Sequence, residues 1–218
     1  MLVELEKQIL EIYKLLDDEV TAFARRTGLN CPEGCGRCCV SEKVEATVLE
    51  FIPMAFELFR TNQAEFLLKR LEKNDTSKRC ILFRQDLMES GKWGCTQYRH
   101  RVLICRLFGF AGNRDRHGNL QLAMCLIMKT GRENFEYDLS DKIGPMPIFT
   151  DAGMRITAMN PLLGAHRLPI NHALMEALTK VGMYLALSQS GSHKESVDPE
   201  MPPETPLFPE NSPRKRAA

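Results

Sequence analysis

Four cysteines within nine residues, Cys31-Pro-Glu-Gly-Cys35-Gly-Arg-Cys38-Cys39, constrain this chain more than any other feature, and Cys80, Cys95, Cys105 and Cys125 bring the total to eight. A run of that density forces sulfurs together whatever surrounds it. Ionised thiolates repel one another, so packing them without a cation leaves an unstable site, whereas Zn2+ or an iron-sulfur core offsets the charge. Gly34 and Gly36 let the backbone turn tightly and aim amide N–H groups at the sulfurs. Burial as a small hydrophobe suits an isolated cysteine such as Cys125 as well as metal ligation does. It does not suit four cysteines in nine residues. Adjacent Cys38 and Cys39 cannot form a disulfide without unusual backbone strain.

The N-terminal stretch MLVELEKQILEIYKLLDDEV interleaves apolar residues with acids and lysines and lacks the unbroken apolar centre of a signal peptide. No segment approaches the roughly 18 apolar residues of a membrane span. The expected location is therefore the cytoplasm, where thiols stay reduced and cysteine clusters bind metal or act in catalysis. Lys and Arg number 29 against 28 Asp and Glu, so no global field argues for nucleic acid. The expected partner is the metal ion or cluster itself, and a protein partner stays open. Arg37, Arg101 and Arg106 lie beside cysteines in sequence and are candidates to offset the residual negative charge of a four-thiolate site.

Leu2, Leu5, Ile9, Ile12, Leu16, Val20 and Phe23 recur at steps of three and four, which predicts a first helix ending in a left-handed cap at Gly28. Thr47 and Glu50 form a capping-box pattern, and the apolar positions from Phe51 to Leu71 predict one or two helices bent near Pro53. Ile81–Phe83 and Val102–Ala111 are short apolar runs that read as strands. Ile104–Ala111 and Asn119–Ile127 flank a polar turn at Asn113–Asn119, which predicts a hairpin bringing Cys105 and Cys125 toward one end of a shared sheet. Residues 140–170, with four prolines, read as an irregular segment around the core. Asn171 is expected to cap a last helix whose stripe is Leu174, Met175, Leu178, Val181 and Leu185.

Beyond about Ser190 the chain holds 6 of its 12 prolines, too little apolar material to order itself. The expectation is an α+β fold, mainly helical: a small single domain over 1–190 with a short antiparallel hairpin, organised around a cysteine-rich metal site, and a disordered proline-rich tail at 191–218. No internal repeat is visible.

The pattern C-x3-C-G-x-C-C, then Cys80-Ile-Leu-Phe, then Gly94-Cys95-Thr-Gln-Tyr98-Arg-His-Arg101-Val-Leu-Ile-Cys105-Arg106-Leu-Phe108, resembles the YkgJ-type cysteine-cluster proteins, described as zinc- or iron-chelating domains. The family's G-x-C-x-x-Y-x-x-R-P-x-x-C-R-x-F signature falls on Gly94, Cys95, Tyr98, Arg101, Cys105, Arg106 and Phe108. Val102 stands where the family usually has proline. The resemblance covers about residues 31–125.

It implies a metal centre with Cys31, Cys35, Cys38, Cys39, Cys80, Cys95 and Cys105 as ligands and Cys125 as an eighth candidate. All-thiolate ligation fits Zn2+ or an iron-sulfur cluster such as 4Fe-4S, and eight sulfurs suffice for two four-ligand sites. Related cysteine-cluster sequences include flagellin lysine methylases, which favours iron-sulfur and a redox or accessory role. They also make a cluster-dependent modifying enzyme the alternative, with a structural zinc interaction module as a further one.

Cys31-x3-Cys35-x2-Cys38 also has radical S-adenosylmethionine spacing, but the chain lacks the alternating strands and helices of those enzymes. His100 is a candidate ligand or proton carrier, although a solvated histidine in a basic run is the simpler reading. Trp93 could shield a cluster or simply pack in the core, and His117 falls in a predicted turn. No phosphate loop, nucleophile elbow or paired carboxylates is visible, so no catalytic residue is named.

Overall fold

The apolar stripe at the N-terminus forms α1 (Leu2–Thr27), burying Leu2, Leu5, Ile9, Tyr13, Leu16 and Phe23 and ending at Gly28 with φ 66°. The structure is a computed structural model and describes residues 1–31, 35–73, 79–91, 94–125, 128 and 144–192. After a 3-10 turn at Arg37–Val40 come β1 (Glu45–Thr47) and α2 (Val48–Arg60). The capping box is complete: Thr47 Oγ1 accepts from Glu50 N at 3.2 Å, and Glu50 Oε1 accepts from Thr47 N at 3.1 Å. Pro53 lies inside α2, and the break falls later, at residues 61–63, before α3 (Ala64–Lys73). The burial of Phe51, Ile52, Met54 and Ala55 around Pro53 offsets its missing backbone donor.

The short α4 (Gln85–Glu89), a 3-10 turn at Tyr98–His100 and α5 (Leu103–Leu107) follow, then the hairpin β2 (Gly112–Arg114) and β3 (Leu120–Leu122). The rest is α6 (Phe149–Met159), α7 (Pro161–Gly164), β4 (Arg167–Pro169) and α8 (Ile170–Ser192). β1 pairs antiparallel with β4, Ala46 opposite Leu168, and β2 with β3, Asn113 opposite Gln121. The fold is thus α+β and mainly helical, with two two-stranded antiparallel sheets among the described residues.

α2 is the centre of the core, covered by α1 and by α8, whose Ala173, Leu174, Ala177, Leu178 and Val181 are buried. Gly182 permits the approach of α8, since a Cβ there would stand 2.9 Å from Phe59 Cζ. A smaller cluster of Phe23, Leu29, Leu122, Met124 and Met128 lies under the end of α1.

Four expectations are corrected. Leu103–Leu107 is helical rather than a strand, because a short apolar run does not distinguish the two by period and a distant group, Glu50 Oε2, accepts from Leu103 N at 3.0 Å. The hairpin exists but is confined to Gly112–Leu122, so Cys105 sits on α5 and Cys125 lies beyond β3, with no shared sheet. Ile81–Phe83 is a turn closed by Phe83 N donating to Cys80 O, with one bridge from Phe83 to Cys95. Residues 149–169 hold α6, α7 and β4, since Asn160 caps α7 and Pro161 starts it. The tail beyond Ser192 lies outside the described residues, as do Gly34 and Trp93.

Candidate metal centre

Three pieces of chain carry the thiols to one place. The 3-10 turn after Gly36, closed by Cys39 N donating to Gly36 O at 2.9 Å, presents Cys38 and Cys39. A two-rung contact, Arg84 N to Gly94 O at 2.7 Å and Thr96 N to Leu82 O at 3.0 Å, lays the Cys80 turn beside Cys95. Gly94 is required there, because a Cβ would meet the Phe83 ring at 2.9 Å and Gly36 Cα at 3.6 Å. Cys105 comes from α5, whose first amide is held by Glu50 and whose Cys105 carbonyl accepts from Arg101 Nη1 at 3.2 Å.

These elements enclose a cavity of about 230 Å3 lined by seven cysteines, Cys31, Cys35, Cys38, Cys39, Cys80, Cys95 and Cys105. Val44, Ile104, Phe110 and Ile170 make its apolar walls, and Phe108 and Cys38, both exposed, stand at its mouth. All eight cysteines are free thiols. Cys125 lies beside Cys31, packed on the smaller apolar cluster, and its Sγ accepts from Met128 N at 3.4 Å.

Burial pushes Cys80 up to about 12 and, with Cys35 beside it, Cys31 to about 12. Cys105 rises through burial and the neighbouring Cys80, Cys95 and Cys38, and Cys95 rises through burial. The Cys38–Cys39 pair shares one proton: the thiol of Cys39 donates to Cys38 and holds it at about 6, with Arg101 favouring the same charge, while Cys39 is driven up. Cys31, Cys39, Cys80, Cys95 and Cys105 are thus held toward the thiol form until a cation takes the place of their protons, while Cys38 is held toward the thiolate.

The three arginines have different surroundings. Arg101 lines the cavity, stacks its guanidinium 3.5 Å from the Tyr98 ring centroid, and has a buried Nε–H with no hydrogen-bond partner among the described residues. Arg106, also in the wall, lies over the Tyr13 ring at 4.3 Å, donates through Nε to Arg101 O at 2.8 Å, and bonds Asp17 and Arg99 O. Its head therefore ties α1 to the cysteine-bearing loop. Arg37 is exposed and not part of the cavity wall. His100 is half-buried near Glu57 and Arg60, away from the lining, and His117 is exposed in the hairpin turn.

An all-sulfur donor set with an unpartnered cationic N–H in its wall fits a thiolate-bound metal, whose bound form carries negative charge that Arg101 can meet. Among the described residues no three Cys, His, Asp or Glu side chains are already gathered tightly enough to hold a single ion. Two positioning residues do more than their sequence context suggests. Glu50, legible only as a capping residue, also holds α5. Asn171 lies inside the first turn of α8 rather than capping it, accepting from Ile81 N and donating to Arg79 O, both at 2.9 Å, and so anchors the Cys80 turn.

Residues 30–126 match the model of the CxxCxxCC family, described as a candidate zinc- or iron-chelating domain. No curated protein and no solved structure matches the chain. No helix among the described residues is long and apolar enough to cross a membrane.

Proposed function

We propose that the protein holds an iron-sulfur centre through cysteine thiolates in this cavity and serves a redox or accessory role. The observation that carries the reading is seven thiols around one apolar-walled cavity with Arg101 in its wall, a setting in which an iron-sulfur core takes four thiolates and has its negative charge met. Cys39, Cys80, Cys95 and Cys105 supply thiolates from three separate chain segments, so a bound centre ties α5, the Cys80 turn and the 3-10 turn together. Val44, Ile104, Phe110 and Ile170 restrict water around the sulfurs, which disfavours charge on a bound core, and Arg101 lends positive charge that offsets this; both tune a cluster's potential.

The test is purification of the full chain without oxygen, followed by its visible spectrum and assays of iron, acid-labile sulfide and zinc. Iron with equivalent sulfide and a brown colour is the expected result. Zinc without sulfide would replace the iron-sulfur reading with a structural zinc module, and a folded metal-free protein would remove both.

A further inference from the structure

The mouth of the thiol-lined cavity differs in charge from the chain as a whole. Over the full sequence 29 Lys and Arg stand against 28 Asp and Glu, a formal net charge of +1. Among the described residues that line the cavity, by contrast, Lys43, Arg101 and Arg106 are cationic and none is a carboxylate. Arg106 is committed to Asp17 and to two backbone carbonyls, and Arg101 is stacked on Tyr98. Lys43 is the lining cation that also reaches solvent, on a loop closed by its own N–H donating to Ser41 Oγ at 3.3 Å. Two more exposed arginines adjoin the lining in the chain, Arg37 before Cys38 and Arg99 after Tyr98. Glu42, the acid next to Lys43, is not in the lining and has an interaction of its own.

The same place carries an exposed aromatic ring. Phe108, which ends α5, is 37% exposed and lines the cavity together with Cys38, the exposed thiol. The thiol set therefore reaches the surface here beside an apolar contact, with cations around it. Electron-transfer encounters use this composition: a small apolar patch next to the redox centre, and charge around it that steers the approach of an oppositely charged partner. Their interfaces fall below about 1,200 Å2 in total. One ring and a few cations suit a contact of that size and not a permanent interface.

We infer that this mouth is the docking face for an acidic electron-carrier protein, with Phe108 as its apolar contact and Lys43, Arg37 and Arg99 as its charged rim. This rests on the redox reading above and names the partner of the same site. Each encounter moves one electron: the carrier is oxidised by one, the thiolate-bound centre is reduced by one, and no bond or proton is transferred.

The test measures binding of the anaerobically purified full chain to two immobilised carriers, an acidic 2Fe-2S ferredoxin and a basic c-type cytochrome. The ferredoxin should bind and the cytochrome should not, and the association rate with ferredoxin should fall about tenfold between about 0.02 and 0.5 M salt. Lys43→Glu should slow that association severalfold at low salt, and Lys43→Arg should behave like the parent. Lys180→Glu, the same charge change at an exposed position of α8, should leave it as it is. Equal binding of both carriers, binding that ignores salt, or equal effects of the two charge reversals overturns the docking face. A net-neutral viologen separates this failure from that of the reading beneath it. A chain that accepts no electron from the viologen has no redox centre, and the redox reading fails. A chain that accepts electrons from the viologen and does not bind the ferredoxin overturns the docking inference alone.

Discussion

Replacing Asn171 by leucine isolates the link between the last helix and the cysteine site. Asn171 is 5% exposed, and its amide group makes two hydrogen bonds of 2.9 Å to the backbone on either side of Cys80. Leucine has nearly the same shape and neither bond, so Ile81 N–H and Arg79 C=O each lose the bond to Asn171. A buried backbone group left unpaired costs about 1–3 kcal/mol. Ile81 is half-buried and Arg79 exposed, so both groups can recruit water and the lower end applies to each, about 2 kcal/mol together. For a chain of this size 1 kcal/mol moves the melting temperature by about 2–4 °C, giving a drop of about 4–8 °C. The assay is thermal unfolding by circular dichroism, paired with the alkylation rate of Cys80 in the reduced apo-protein. Cys80 should react faster in the variant while Cys125, in a different apolar cluster, should not. Asn171→Asp keeps the acceptor for Ile81 N and loses the donor to Arg79 O, and should fall between the two. Had Asn171 been an ordinary helix cap, the loss would be about 1 kcal/mol and Cys80 would be unaffected. Unchanged Cys80 reactivity in Asn171→Leu would refute the reasoning.

Gly94→Ala places a Cβ 2.9 Å from the Phe83 ring and should cost about 1–3 kcal/mol by displacing that ring, with metal content falling because Cys95 is the next residue; normal metal content and stability would count against the fit. Burial raises the Glu50 carboxyl above its ordinary 4.5, so the folded state holds its proton more tightly than the unfolded one. The stability this contributes is present below 4.5 and is lost as pH rises through the raised value; melting temperatures of the apo-protein should show that slope, and Glu50→Gln should flatten it. Chelating the bound metal should lower the melting temperature, because binding free energy at an all-thiolate site is folding free energy. An unchanged melting curve after metal removal would oppose a structural role for the centre.

Much of the helical framework was legible because its signals are local. The three-and-four spacing of α1, its Gly28 cap and the Thr47–Glu50 capping box each lie within a few residues and appear as expected. The hairpin turn was also local, Asp115 accepting from the amides of His117 and Asn119. Elements decided by distant partners were not legible. Leu103–Leu107 is a helix in contact with Glu50, 53 residues away, and β1 finds β4 across more than a hundred residues. At the site, the spacing of Cys31 to Cys39 and of Gly94 to Phe108 pointed to the right segments, and the cavity brings six of their thiols together with Cys80. Proximity in sequence was a poorer guide for the arginines. Arg101 faces the thiols, while Arg106 is directed to Tyr13 and Asp17 and Arg37 points to solvent, contacts set by tertiary packing.

X-ray absorption at the edge of the metal that co-purifies with the full chain addresses the thiolate centre most directly. The account predicts a first shell of sulfur alone, with iron as the metal and iron neighbours beyond the sulfurs. A first shell containing nitrogen or oxygen from histidine or carboxylate would contradict it.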